Sequence, residues 1–88
     1  MVESKLDIIR IVLQPYVLDI LHALENEPKR FVELKKYVRS EMTLSSKLSR
    51  LLKYGLIEIV PLKTERRYMN AYIISKKGKE IVKKLEKI

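Results

Sequence analysis

Seven polar side chains crowd one short stretch of this chain: Thr43, Ser45, Ser46, Lys47, Ser49, Arg50 and Lys53. Four carry hydroxyls, three carry cations, and no carboxylate stands among them. Short hydroxyl side chains donate to phosphate oxygens or base edges and let a helix approach closely. An arginine such as Arg50 can bond guanine O6 and N7 bidentately, and Lys47 is a base or phosphate ligand of the same kind. The chemistry that suits this set is recognition of a polyanion, with no covalent bond made or broken.

The spacing supplies the geometry. Leu44, Leu48, Leu51 and Leu52 fall at i, i+4, i+7 and i+8, one face of a helix. The pattern predicts a helix over 43–54, with Thr43 as N-cap and Gly55 as the stop. Leucines then face inward and the hydroxyls and cations outward, as a helix in a DNA major groove requires. A plain solvated face is the alternative, but solvated faces ordinarily mix both charge signs. Lys53, one turn further on, serves equally well as a surface lysine supporting the helix C-terminus.

Catalysis and metal chemistry have little to build on. The chain has no cysteine and one histidine, His22, so a histidine or thiolate cluster is excluded within one chain. His22 reads as a half-buried surface histidine. No nucleophile–base–orienter set and no glycine-rich phosphate loop is visible, so the expectation is a non-enzyme without cofactor or metal.

Charge points the same way. Of the net +8, residues 1–28 contribute −3 and residues 29–88 contribute +11. Such polarity favours one surface for an anionic partner. Acidic lipid would satisfy the charge too, but the outward face of 43–54 offers no bulky apolar side chain to insert. No run is long and apolar enough to span a bilayer, and no signal peptide is evident, so a soluble cytoplasmic protein is expected.

Eighty-eight residues fit a single domain over 1–88. Its elements are helices near 3–13, 15–25 and 31–38, the helix 43–54, strands 56–60 and 68–74, and a helix near 76–87 capped by Ser75. Pro15 is expected to open the second helix, and Lys29-Arg30-Phe31 to be briefly extended. Pro61 is expected to end the first strand, leaving 61–67 as an exposed basic tip. Tyr54, Tyr68 and Tyr72 read as packing residues. The first helix has two apolar stripes, Val2-Leu6-Ile9-Leu13 and Ile8-Ile11-Val12, and one small core cannot take both. Leu6, Ile9 and Leu13, together with Ile81, Leu85 and Ile88 of the last helix, are therefore candidate dimerisation residues. Lys76, Lys77 and Lys79 oppose the dipole of the helix they begin.

Four segments carry a family likeness: Leu13-Gln14-Pro15-Tyr16-Val17-Leu18-Asp19-Ile20-Leu21, Arg30-Phe31-Val32-Glu33-Leu34-Lys35, Leu48 to Ile57, and Ala71 to Gly78. In this order the chain resembles the small archaeal and bacterial winged helix-turn-helix transcriptional regulators of the HxlR, ArsR and MarR groups. The resemblance implies a mainly α fold with a small β-hairpin, acting as a homodimer on double-stranded DNA. It makes 31–38 the first helix of the helix-turn-helix, 43–54 the recognition helix and 61–67 the wing. By position it turns Thr43, Ser45, Ser46, Lys47 and Arg50 toward DNA and puts Arg66 and Arg67 on the wing.

Val17 stands where the family often has arginine, and the wing lacks glycine. Lys63 is a further wing candidate. Because Arg66 and Arg67 are adjacent, one is expected to reach DNA and the other to pair with Glu65 or Glu58. Two recognition helices would enter major grooves roughly 34 Å apart. Sequence-specific regulation is the expected function. The alternatives are non-specific, chromatin-like DNA binding and a protein–protein adaptor.

Overall fold

The computed structural model describes residues 5–87, and of Lys5 only the backbone. The element order is α1 (Lys5–Val12), α2 (Val17–Ala23), α3 (Phe31–Leu34) running into a 3-10 turn (Lys35–Tyr37), α4 (Glu41–Lys53), β1 (Ile57–Lys63), β2 (Tyr68–Ile74) and α5 (Lys76–Glu86). Helices surround an aliphatic core, and β1 and β2 form an antiparallel hairpin. This is the mainly helical winged architecture that the sequence implied. Val2, residues 3–4 of the first expected helix, and Ile88 lie outside the described residues.

Each helix contributes one apolar ridge to the core. Ile8, Ile11 and Val12 come from α1, Val17, Ile20 and Leu21 from α2, Leu44, Leu48 and Leu51 from α4, and Val82 from α5. The other α1 stripe stays in water: Leu6 is 55%, Ile9 40% and Leu13 63% exposed. Pro15 does not begin α2. The chain turns through Tyr16 at φ 72°, and the helix starts at Val17. That left-handed conformation costs a non-glycine residue roughly 1–2 kcal/mol.

The expected helix 31–38 is one α turn tightened into a 3-10 turn, because Val38 is already extended. No hydroxyl caps it; the Arg30 backbone N–H donates to Glu33 Oε1 at 2.9 Å instead. This hydrogen bond, reinforced by the Arg30 side chain, holds the Glu33 carboxyl below its ordinary range.

Pro61 does not end β1, which runs on to Lys63. The register explains why. Pro61 faces Asn70, and Thr64 N–H donates to Arg67 C=O at 2.8 Å. Antiparallel pairs alternate between bonded and non-bonded, so counting back from 64↔67 puts 61↔70 at a non-bonded pair. The missing proline N–H would have pointed to the open edge, and no ladder bond is lost. Tyr72, on the same alternation, exchanges both backbone bonds with Lys29, so the expected short extension at 29 joins the sheet through one bridge.

Gly55 and Gly78 join α4 to the hairpin and to α5. Gly55, at φ 72°, ends α4 in a Schellman motif: its N–H bonds Leu52 C=O and Leu56 N–H bonds Leu51 C=O. Ser75 caps α5 by accepting from Gly78 N–H, and its own hydroxyl donates to Gly55 C=O at 2.6 Å. A Cβ on Gly78 would stand 2.2 Å from Leu56 O, so only glycine allows this approach. Lys77 Nζ donates to Tyr54 C=O at 3.0 Å. A lysine that opposes the dipole of its own helix thus sits favourably at the C-terminus of α4.

Candidate nucleic-acid interface

Helix α4 begins three residues earlier than its hydroxyl pattern suggested. Ser40, not Thr43, is the N-cap. Its oxygen accepts from Thr43 N–H at 3.1 Å, while its hydroxyl donates to Thr43 Oγ1 at 2.9 Å. Thr43 is therefore inside the first turn and half-buried. The earlier start adds Glu41 and Met42 to the helix. Glu41 is the one carboxylate in α4, and it bonds Lys35 of the preceding turn at 2.7 Å, which lowers its carboxyl pKa.

With Leu44, Leu48 and Leu51 against the core, helical geometry fixes the rest. The line opposite the leucines is Met42-Ser46-Ser49-Lys53, at i, i+4, i+7 and i+11, and all four are exposed. Ser45 and Arg50 flank it and are exposed as well. Lys47 lies lower on the flank, half-buried, with Nζ donating to Gln14 Oε1 at 2.9 Å. Lys53 extends over the Tyr54 ring, 5.9 Å from its centroid.

The wing closes tightly without glycine. Thr64 Oγ1 donates to Arg67 C=O at 2.8 Å and accepts from Arg67 N–H at 3.3 Å. Its side chain does what a backbone bond would do in a two-residue turn, and no residue of the turn takes a positive φ. Lys63, Arg66 and Arg67 are all exposed. Neither arginine pairs with Glu65 or Glu58, contrary to expectation; the adjacent guanidinium groups both stand in solvent. Tyr68, expected to pack, is 67% exposed opposite Lys63, whereas Tyr54 and Tyr72 pack against the core. Arg30, Arg66 and Arg67 line one open cleft with Thr64, Glu65 and Met69.

Electrostatics separate two groups of cations. Among the described residues, the ion pairs are His22 with Glu25 and Glu86, Lys29–Glu27, Arg30–Glu33 and Lys35–Glu41. None involves Lys47, Arg50, Lys53, Lys63, Arg66 or Arg67. The cations of α4 and the wing thus face no carboxylate in these pairs, whereas Lys29, Arg30 and Lys35 around α3 each have one; Lys36 and Arg39, also near α3, do not. His22 is exposed rather than half-buried, and its two ring nitrogens face different carboxylates.

Two residues at this surface escaped the sequence reading. Met42 was lost with the misplaced cap; Ser40 followed by an acid in the first turn was the available signal. Arg30 reaches the wing only through the Lys29–Tyr72 bridge, which no local pattern announces. The candidate dimerisation residues fall on another surface: Ile9 of α1 with Ile81 and Leu85 of α5 line a cleft together with Ile8, Lys77, Glu80 and Lys84.

The same fold occurs in solved regulators of low sequence identity. The reduced form of the transcriptional regulator YodB from B. subtilis superposes with a TM-score of 0.79 at 21% identity, over 99% of this chain and 87% of that one. The putative transcriptional regulator ytfH from Salmonella typhimurium gives 0.75 at 21%, over 94% and 75%. A putative regulator of the MarR family from Porphyromonas gingivalis W83 gives 0.73 at 18%, over 99% and 90%. No curated protein matches the sequence significantly. The family model described as HxlR-like helix-turn-helix matches residues 11–88, from the core end of α1 through the wing to the last helix. Those residues include the Ser40-capped α4 and both glycine junctions, and the chain belongs to the HxlR-like helix-turn-helix family.

Proposed function

We propose that this chain regulates transcription as a homodimer that binds double-stranded DNA with sequence preference. The observation that carries the reading is the set of unpaired cations on α4 and the wing, beside a stripe of exposed serines. Surface cations left without carboxylate partners gain most from phosphates, whose condensed counterions they release. The descriptions of the similar solved structures as transcriptional regulators support the same reading.

In the proposed complex, Arg50 takes a guanine edge or a phosphate, and Ser45, Ser46 and Ser49 donate to phosphates or bases. Thr43 and Lys47, half-buried on the flank, contact the backbone beside the groove. Lys63, Arg66 and Arg67 hold phosphates at the wing. Self-association uses Leu6 and Ile9 of α1 and Leu13 just after it with Ile81, Leu85 and Ile88. Three of these are large side chains standing in water on the described surface, which favours an apolar partner.

The test is selection of duplexes from a random pool, followed by affinity for the selected site against a scrambled one at fixed salt. Specific binders discriminate by roughly 10³-fold or more. A ratio near one overturns sequence preference and supports non-specific coating. No binding to any duplex at low salt supports an adaptor role.

A further inference from the structure

Met42 is the most exposed large hydrophobic residue described, at 83%. It occupies the first turn of α4 and heads the outward line Met42-Ser46-Ser49-Lys53. The first turn of a recognition helix is the part that contacts base edges. The rest of that line is serine and lysine, so Met42 stands alone as the apolar side chain on that line. Its neighbour Glu41 is held by Lys35, so its charge is compensated beside the methionine. Ser40 fixes the turn from below through both of its bonds to Thr43.

We propose that Met42 is a specificity-determining residue that seats its thioether against the C5-methyl group of a thymine. This rests on the reading of α4 as the helix that enters the major groove. The argument is one of complementary surfaces. Phosphates and most base edges are polar, and the thymine methyl is the apolar feature of the major-groove wall. An unbranched, polarisable side chain adapts to such a small target. Burying both groups together removes two apolar surfaces from water.

The experiment replaces each thymine of the selected site, one at a time, by deoxyuridine, which lacks only the methyl. Wild type and Met42→Ala are titrated with each duplex. Loss of one methyl contact is expected to weaken wild type about fourfold per half-site at one thymine position. Met42→Ala is expected to bind the thymine and uracil duplexes equally there. Because Met42 is exposed, the variant should keep the wild-type melting temperature, which is measured alongside.

Wild type indifferent to every substitution overturns the proposal. So does Met42→Ala retaining the full thymine–uracil difference. Either result leaves the wider reading standing if Arg50→Ala still weakens binding. If wild type binds no duplex, both fall together.

Discussion

Helices α1 and α4 are anchored alike and finished differently. Each sends an aliphatic ridge into the core, Ile8-Ile11-Val12 from one and Leu44-Leu48-Leu51 from the other. Outward, α1 shows Leu6 and Ile9, continued by Leu13 just after it, while α4 shows one methionine among serines and cations. An apolar face loses free energy to water and recovers it against another apolar face. A face of hydroxyls and unpaired cations is well solvated and gains chiefly from anions. The difference suggests how a chain of this size can separate self-association from recognition. Gln14, at the corner after α1, reaches Lys47 of α4 and links the two regions directly.

Salt should distinguish the two faces most sharply. If each dimer neutralises about six to ten phosphates, raising salt from 50 to 200 mM cuts duplex affinity ~10³–10⁵-fold. Dimer dissociation, followed by sedimentation over the same range, should barely change, because apolar burial is not screened. Equal salt sensitivity in both would erase the distinction between the two faces.

Charging the α1 face comes next. Leu6→Lys with Ile9→Lys leaves the core ridge intact but buries four cations in a symmetric dimer. The dimer dissociation constant should rise at least about a hundredfold, since each lost large aliphatic contact is worth about 1.5–3 kcal/mol. The melting profile of the protomer and its contacts to a single half-site should survive. A dimer unaffected by the pair would move the interface elsewhere.

Arg50→Ala addresses the other face. Duplex affinity should fall by ~1–3 kcal/mol and base preference relax at one position, with self-association unchanged. A loss spread evenly over all sequences would mark Arg50 as a phosphate ligand only.

The smallest effect lies off the outward faces of α1 and α4, at the bond that holds Arg30 beside the wing. Glu33 has its carboxyl pKa lowered below the ordinary 4.5, first by the Arg30 N–H bond. A depressed folded pKa stabilises above the unfolded value and ceases to do so as pH falls through the folded one. Melts of wild type and Glu33→Gln should therefore differ modestly at pH 7, begin to approach each other as pH falls below 4.5, and meet only below the depressed folded pKa. The side chain is 40% exposed, so the difference is small.

What the sequence disclosed was mostly local. The leucine ridge of α4, the Gly55 stop and the Ser75 cap depend on residues within a turn or two, and all were readable. The second stripe of α1 was readable because two apolar faces on one helix are more than a small core can take. Contacts across the fold were not. Pro61 looks like a strand end until the register shows its missing N–H at the open edge. Lys47 looks free until Gln14, 33 positions away, takes its ammonium. Ser40 and Thr43 are equally good caps on paper; Ser40 has the extended backbone a cap needs while Thr43 is already helical, and Met42 entered the helix with it.

The central claim is that the outward line of α4 meets duplex DNA while the outer face of α1 does not. Amide chemical shifts of the ¹⁵N-labelled dimer, titrated with the selected duplex, test it directly. The account predicts shifts and slowed exchange at Met42, Ser46, Ser49, Arg50 and the wing arginines, with Leu6, Ile9 and Leu13 unmoved. Perturbations confined to α1 and α5, with α4 silent, would contradict it.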